Sequence, residues 1–288
     1  MAKLSPLEIY KLLPGTNTKD CGEESCMAFA SKIIEREKTV DDCPHLAKAE
    51  YTEKRLKLIE LTTPPVKELL IGTGDRAVAV GGEEVMYRHD LTFFNQTSFF
   101  IEVDDEMPED ELVSKIEEVD KFEFGRVGQT LKLQGIAVRG KSGDPTKFGE
   151  AVLLATEKTD LPLILCSYKP ELLEVGLEIA LDRKPLIYAA TKENWEDVAN
   201  LSLKYGCPVV ASSPGDLAGL LELTQDLIEN GVQDLVLDIG TYPEGKEFAD
   251  MMENLVMIRR LAIEKGVKPL GFPIMGVPLV TKLKEKDP

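Results

Sequence analysis

Three of the five cysteines in this 288-residue chain lie close together near its start. Cys21, Cys26 and Cys43 are spaced Cys-x4-Cys-x16-Cys. Clustered cysteines in a chain that begins without the apolar core of a signal peptide favour metal ligation or redox chemistry over disulfides. Several thiolates grouped in this way are the usual ligands of iron–sulfur clusters. The spacing therefore predicts a cluster-binding loop.

Two other interpretations of these cysteines stay open at this point. Tetrahedral zinc also takes four Cys or His ligands, and His45 lies two residues beyond Cys43. Structural zinc sites usually present paired Cys-x2-Cys knuckles, so the spacing favours iron–sulfur over zinc. The third interpretation is that the cysteines are free thiols buried in a small helical cap.

Short helices are predicted on both sides of the cysteine loop. Over residues 5–13, Ser5 is a suitable N-cap and Glu8 completes a capping box. A second helical pattern over 26–35 places Cys26 at its N-terminal end, where a thiolate is favoured. A fold of about 45 residues with so little core is marginal alone, so a metal cluster would supply stability.

The net charge of −17 at pH 7 limits the kinds of partner that the chain can have. Nucleic acids and anionic membrane surfaces both need a basic face on the protein, so the composition argues against both. No run of about 18 apolar residues occurs, so no transmembrane helix is predicted. Together with the charged, non-apolar start, these features predict a cytoplasmic protein.

A change of pattern near residue 60 predicts two domains. Residues 47–65 are rich in Lys and Glu and end in Thr-Thr-Pro-Pro, which breaks any helix. We predict an iron–sulfur cluster domain over 1–60 and a second domain over 61–288. Near the start of the second domain, residues 77–80 and 84–87 predict a β-hairpin around a Gly-Gly turn.

Beyond residue 98, seven short apolar runs alternate with helical patterns. Continuous apolar strands suit a parallel sheet that is buried on both faces. Repeated strand–helix steps predict a TIM-type (β/α) barrel with seven of the usual eight strands, and an open doubly wound sheet is the alternative. The predicted strands are 99–103, 135–139, 161–166, 185–190, 208–212, 234–238 and 269–275, and the predicted helices are 108–119, 145–158, 170–182, 193–205, 215–230 and 245–265.

In such a barrel, polar groups at the carboxyl ends of the strands face the end where ligands bind. They predict a rim able to hold a ligand, but no acid–base pair or Ser/His/Asp arrangement stands out, so no catalytic residue is predicted. Cys166 and Cys207 fall at strand ends and are predicted to be core residues. The rim residues are Asp104, Arg139, Ser167, Thr191, Ser212, Asp238 and Pro273.

The segments that surround the cysteines carry a family resemblance. Residues 10–17, 21–33 and 42–46 read YKLLPGTN, CGEESCMAFASKI and DCPHL. They resemble the cluster domain of the large (gamma) subunits of corrinoid iron–sulfur proteins, which belong to the acetyl-CoA decarbonylase/synthase system. The family pattern is Cys-x2-Cys-x4-Cys-x16-Cys and binds one low-potential [4Fe-4S] cluster. The resemblance implies that the second, third and fourth ligands are Cys21, Cys26 and Cys43.

The first cysteine of the family pattern falls on Thr18, and threonine is not a normal iron ligand. A [4Fe-4S] cluster could be completed by Asp20 or by water, with a shifted reduction potential. A [3Fe-4S] cluster needs only three thiolates. Loss of the cluster is the remaining alternative, so the implied metal ligands are Cys21, Cys26 and Cys43 only.

The resemblance continues in order along the predicted barrel. In this family the barrel packs against the barrel of a smaller (delta) subunit, and a C-terminal domain binds a cobamide. The resemblance implies that an eighth strand, its helix and the cobamide domain are missing here, so that the sequence is a fragment or a partner closes the barrel. The matching segments are 87–90, 126–129, 182–191, 235–240, 258–263 and 271–273.

The resemblance implies a methyl-carrier subunit, the methyltransferase component of a larger complex. Cobalt would carry methyl from a tetrahydropterin methyltransferase to acetyl-CoA synthase/carbon monoxide dehydrogenase, and the cluster would reactivate oxidised cobalt. One alternative is a scaffold subunit without a working cluster. Another is a pterin-binding barrel methyltransferase, although no catalytic constellation supports it.

Overall fold

The computed structural model of the protein describes residues 5–278, which divide into two compact units. The first unit ends at Pro64 and the second begins at Pro65. Proline cannot donate a backbone hydrogen bond, and it disfavours helical geometry at the residue before it. The last helix of the first unit accordingly stops at Thr62. Each unit is described by itself.

The first unit contains three α-helices: α1 (Pro6–Tyr10), α2 (Cys26–Ile34) and α3 (Thr52–Thr62). The capping box predicted for α1 is confirmed, since Ser5 and Glu8 each accept a backbone hydrogen bond from the other. The helix is shorter than predicted and ends at Tyr10. Between α2 and α3 the chain forms 3-10 turns at Val40–Asp42, Pro44–Ala47 and Ala49–Tyr51.

The core of the first unit is small. Phe29 of α2 is about 1% exposed and lies among the side chains of α1, α2 and the 3-10 turns. Burial of so few apolar side chains gives little stability to a unit of this size. The buried residues of this core are Ile9, Leu13, Phe29, Ala30, Ile33, Val40, Cys43, Leu46 and Leu58.

The second unit begins with an antiparallel pair of strands, β1 (Leu69–Ile71) and β2 (Val78–Val80). The predicted pairing of 77–80 with 84–87 is wrong, because β2 pairs with the preceding β1 and residues 84–87 form no strand. The two glycines after β2 both adopt left-handed backbone angles, and the amide of Gly82 donates to the carbonyl of Val66. This turn directs the chain away from the pair instead of folding it back.

The rest of the second unit alternates strands and helices, as predicted. The N-terminus of α5 shows why one helix begins where it does: Asp144 accepts a hydrogen bond from the amide of Thr146, and proline follows as the first helical residue. The elements are β3 (Phe100–Asp104), α4 (Glu109–Lys121), β4 (Glu123–Arg126), β5 (Gln129–Lys132), β6 (Gly135–Arg139), α5 (Pro145–Lys158), β7 (Leu163–Cys166), α6 (Pro170–Ile179), β8 (Leu186–Ala190), α7 (Trp195–Tyr205), β9 (Val209–Ser212), α8 (Leu217–Glu229), β10 (Leu235–Asp238) and α9 (Gly245–Ile263).

Six of these strands form one parallel sheet in the order β10-β9-β8-β7-β6-β3. The predicted parallel α/β sheet is therefore confirmed. Strands β4 and β5 form a separate antiparallel hairpin, exposed along both strands, that the sequence analysis did not predict. Its turn places Val127 and Gly128 in left-handed angles, which is the geometry of a tight two-residue hairpin. No helix in the described part of the chain is long and apolar enough to cross a membrane.

The sheet has an apolar core on each face. Alternate strand residues point to opposite faces, and one set packs against the helices. The other set, which includes Ala137, Ile164, Tyr188, Val210 and Val236, packs together and against β1. Side chains from strands that are not neighbours meet in this second core, as in a sheet curled towards a TIM-like barrel. Among the described residues β3 is the last strand on one side of the sheet and β10 the last on the other, so closure of the barrel is not seen.

The seventh predicted strand, 269–275, is reduced to a single bridge between Leu237 and Ile274. The amide of Leu237 donates to Pro273 and the amide of Met275 donates to Leu237, both at 2.8 Å. A 3-10 turn at Lys268–Leu270 occupies the start of the predicted strand. Proline at positions 269 and 273 also removes two donors from the segment, which limits ladder formation.

Replacing Gly81 by alanine should destabilise the second unit more than the same change at Gly206. Both glycines have positive φ, so alanine costs about 1–2 kcal/mol at either position. A Cβ at Gly81 would also collide with the carbonyl oxygen of Lys67, whereas a Cβ at Gly206 meets no atom within 4 Å. We expect Gly81→Ala to cost about 1–3 kcal/mol more. Urea unfolding followed by fluorescence of Trp195, the chain's single tryptophan, would measure both, and equal losses would contradict the packing argument.

Candidate metal centre

The loop between α1 and α2 is shaped by left-handed residues. Gly15, Asn17, Lys19 and Gly22 all have φ between 49° and 85°. Where left-handed residues alternate with right-handed ones, successive backbone amides can face a common side, and such loops often bind anions or iron–sulfur clusters. The side chain of Asn17 fastens the loop to α2, because its Oδ1 accepts a 2.8 Å hydrogen bond from the amide of Cys26.

All three clustered cysteines line one pocket beside this loop. Cys43 is buried, and Cys21 and Cys26 are half-buried. All three are free thiols, and Phe29 lines the same pocket from the apolar core. Cys26 is the first residue of α2, whose N-terminus favours negative charge on a thiolate. The fold thus brings together donors that are far apart in sequence.

Thr18 and His45 line the same pocket and contact each other. The Oγ1 of Thr18 is 2.9 Å from the Nε2 of His45, and that nitrogen is 2.8 Å from the Oδ2 of Asp20. The pKa of the Asp20 carboxyl is lowered mainly by its hydrogen bond with His45 and to a smaller extent by its hydrogen bond with Thr18. Asp20 itself lies outside the set of lining residues. The sequence analysis considered His45 only as a zinc ligand and did not anticipate its contact with Thr18.

The pocket contains three thiols, and thiolates are the usual ligands of iron–sulfur clusters. Among residues 5–278, no three His, Cys, Asp or Glu side chains lie close enough together to hold one metal ion. The cysteines of a [4Fe-4S] cluster each bind a different iron, so they stand apart around a cavity. Three thiols around one pocket fit that requirement.

The two remaining cysteines lie in the second unit and have the character of core residues. Cys207 is 3% exposed, and burial raises its pKa to about 11. Burial is also the main reason that the pKa of Cys166 rises to about 12, with the charge of Glu102 as a second cause. Both thiols are therefore neutral near pH 7, which agrees with their prediction as core residues rather than nucleophiles.

Two of the predicted rim residues, Asp104 and Arg139, lie side by side at the carboxyl ends of β3 and β6. The Nε of Arg139 is 3.2 Å from Glu102, and one terminal nitrogen is 3.9 Å from Asp104. Arg139 is buried, with 8% of its surface exposed, and its charge is balanced by these carboxylates. Buried arginine of this kind is retained where carboxylates pair with it.

A second rim cluster surrounds Asp238, which is 2% exposed. Its Oδ2 accepts hydrogen bonds from Tyr188 at 2.8 Å and Ser212 at 3.1 Å, and its Oδ1 accepts one from the amide of Gly240. Tyr188 was not predicted as part of the rim. The two-residue alternation of β8 could have placed it on the inner face, but only the fold sets it opposite Asp238.

The other predicted rim residues serve the local backbone. The hydroxyl of Ser167 accepts a hydrogen bond from the amide of Lys169, and Thr191 bonds to the side chain of Asn194. Pro273 supplies the carbonyl that accepts from Leu237. The predicted rim residues therefore form a cluster around Arg139, a cluster around Asp238 and several capped turns.

Replacing Asp238 by asparagine should change how stability depends on pH. Burial raises the pKa of Asp238, although the hydrogen bonds from Gly240, Tyr188 and Ser212 oppose this shift. The native state therefore binds the proton more tightly than the unfolded state, whose pKa is about 4. The stability due to this proton is present below that pKa and is lost as the pH rises through the native pKa.

Relative to the native chain, Asp238→Asn should therefore become progressively more stable as the pH rises above about 4, the ordinary pKa of an aspartate. Urea unfolding at several pH values, followed by the fluorescence of Trp195, would test this. Asp160→Asn, at a side chain that is 89% exposed, is the matched control for loss of one charge. A stability difference between Asp238→Asn and the native chain that does not vary with pH would contradict the argument.

Two family models match the chain. Residues 68–287, more than half of the sequence, match the family described as CO dehydrogenase/acetyl-CoA synthase delta subunit. Residues 13–45 match a family described as "Putative Fe-S cluster". The second match contains the cysteine loop, all three clustered cysteines and His45.

Curated relatives align along nearly the whole chain. The chain is 46% identical over 276 residues to the acetyl-CoA decarbonylase/synthase complex subunit gamma 1 of Methanosarcina thermophila, covering 96% of this chain and 58% of the relative. It is 44% identical over 285 residues to subunit gamma of Methanothermobacter thermautotrophicus, and the alignment covers 99% of this chain and 61% of the relative. It is 42% identical over 291 residues to subunit gamma of Methanopyrus kandleri, and the alignment covers 100% of this chain and 61% of the relative. The chain thus spans about three fifths of the length of these relatives, whose names say gamma where the family model says delta.

Proposed function

Because the chain belongs to the CO dehydrogenase/acetyl-CoA synthase delta subunit family, we propose that it is part of a methyl-carrier subunit that binds an iron–sulfur cluster. The observation that carries this proposal is that Cys21, Cys26 and Cys43 line the same pocket. The pocket lies within residues 13–45, the segment similar to an Fe-S family. The proposed domains are a cluster domain over 1–60 and a barrel domain over 61–288.

In this proposal Cys21, Cys26 and Cys43 supply thiolates to a [4Fe-4S] cluster. The loop contains four residues with positive φ, a feature of anion-binding loops, and the N-terminus of α2 favours negative charge at Cys26. Phe29 and Leu13 line the pocket and limit the access of water. When bound, such a cluster supplies one electron at low potential, which is the chemistry needed to reactivate an oxidised corrinoid cobalt.

The role proposed for the second unit is that of a scaffold. Polar groups at the carboxyl ends of its strands pair with one another, through hydrogen bonds at Asp238 and through an ion pair with Glu102 at Arg139. The proposed partners are a smaller delta barrel subunit, a pterin methyltransferase and acetyl-CoA synthase/carbon monoxide dehydrogenase. The cobamide is proposed to bind to a domain that follows the barrel in the relatives.

Thr18 favours one alternative, a scaffold subunit that has lost its cluster. The first ligand position of the cysteine pattern holds a hydroxyl, which is not a normal ligand of iron. The two proposed functions differ in the iron content that they require, because a scaffold subunit needs no iron.

Anaerobic analysis of iron and acid-labile sulfide, with EPR of the reduced protein, tests the proposal. We expect about four irons and four sulfides per chain. Cys43→Ala should lose most of the iron, because it removes a buried thiolate from the pocket. Cys207→Ala, which removes a buried thiol of the second unit, should keep it. A native chain without iron after anaerobic reconstitution, or equal iron in both variants, would refute cluster binding by this pocket.

A further inference from the structure

The side chain of His45 lines the same pocket as the three clustered cysteines. Its Nε2 is 2.9 Å from the Oγ1 of Thr18. Both residues line the pocket of the three cysteines. Imidazole nitrogen binds iron in iron–sulfur centres of other kinds, whereas a threonine hydroxyl does not normally do so.

The backbone holds His45 in this place. It follows Cys43 and Pro44 in the 3-10 turn Pro44–Ala47, where proline fixes one backbone angle. The turn is closed by a 3.1 Å hydrogen bond from the amide of Leu46 to the carbonyl of Cys43, and Leu46 is 1% exposed. The turn that positions one thiol ligand therefore positions the imidazole as well. Little further ordering is needed for both to bind the same group.

Asp20 is less suited to be the fourth ligand. Its side chain is 54% exposed, against 21% for His45, and it does not line the pocket. Its Oδ2 instead contacts the Nε2 of His45 at 2.8 Å. A carboxylate oxygen is also a harder ligand than imidazole nitrogen and suits iron–sulfur centres less well.

We propose that His45 is the fourth ligand of the cluster, through Nε2, in a Cys3His set completed by Cys21, Cys26 and Cys43. This rests on the proposed cluster-binding function. The lone pair of Nε2 goes to iron, so the ring proton lies on Nδ1, and the contacts of Nε2 with Thr18 and Asp20 are exchanged for the bond to iron. A neutral imidazole in place of a thiolate raises the reduction potential above that of an all-cysteine cluster.

Pulsed EPR of the reduced full chain tests the ligand directly. The sequence contains two histidines, His45 and His89, so protein labelled with 15N-histidine has few possible sources of a nitrogen signal. We expect the hyperfine coupling of a directly bound imidazole in the native chain. His89→Gln, at a side chain that is 78% exposed, and Asp20→Asn should both retain it. His45→Ala should abolish it.

A second variant covers the case in which His45→Ala loses the cluster. Thr18→Cys combined with His45→Ala should restore about four irons without nitrogen coupling, and its potential should be lower than that of the native chain. An unchanged potential in this double variant would overturn the proposal.

The remaining outcomes separate this inference from the proposed function. Four irons in the native chain without nitrogen coupling would overturn ligation by His45 and leave cluster binding intact. Nitrogen coupling that survives in His45→Ala would also overturn it. A native chain without iron would overturn both proposals.

Discussion

The packing around Phe29 is the constraint on which the candidate metal centre depends. This side chain is fully buried in a core of few residues, and it also lines the pocket of the cysteines. The same small core contains Cys43 and Leu46, so the turn that carries one thiol is held by the packing that holds α2. A core of this size leaves little reserve of stability. Because Cys43 is part of this core, binding of the proposed cluster would couple the stability of the unit to the metal.

The backbone geometry of the loop before α2 positions that loop against the start of the helix. Its left-handed residues would be costly in a regular element, but they curl the chain tightly. The bond from the amide of Cys26 to Asn17 fixes the curl against the start of α2. The pocket is therefore built from a strained loop on one side and a packed turn on the other. This is how thiols from both ends of a long spacing come to face one cavity.

In the second unit the corresponding constraint is burial of the sheet on both faces. Helices cover one face, and the other is filled by strand side chains that meet β1. Polar groups at the strand ends must then find partners inside, as Asp238 does with Tyr188 and Ser212. A polar cluster that is satisfied in this way stabilises one arrangement of the strands. That fits a unit whose proposed role is to present surfaces to other subunits.

The sequence by itself determined the elements whose signals are local. The capping box of Ser5 and the N-cap Asp144 were readable because each needs only residues a few positions apart. The continuous apolar runs of the strands likewise predicted a parallel sheet with helices between its strands. The spacing of the cysteines identified the candidate site, and the family resemblance identified Thr18 as the position where the family has a cysteine.

The tertiary structure alone decided the contacts between distant residues. It paired β2 with β1 rather than with 84–87, since two left-handed glycines redirect the chain. It shortened the last predicted strand to a bridge at Ile274. It also placed His45 against Thr18, a pair separated by 27 positions that no period in the sequence links. Such contacts depend on how packed elements meet, and that is a property of the whole fold rather than of any local pattern.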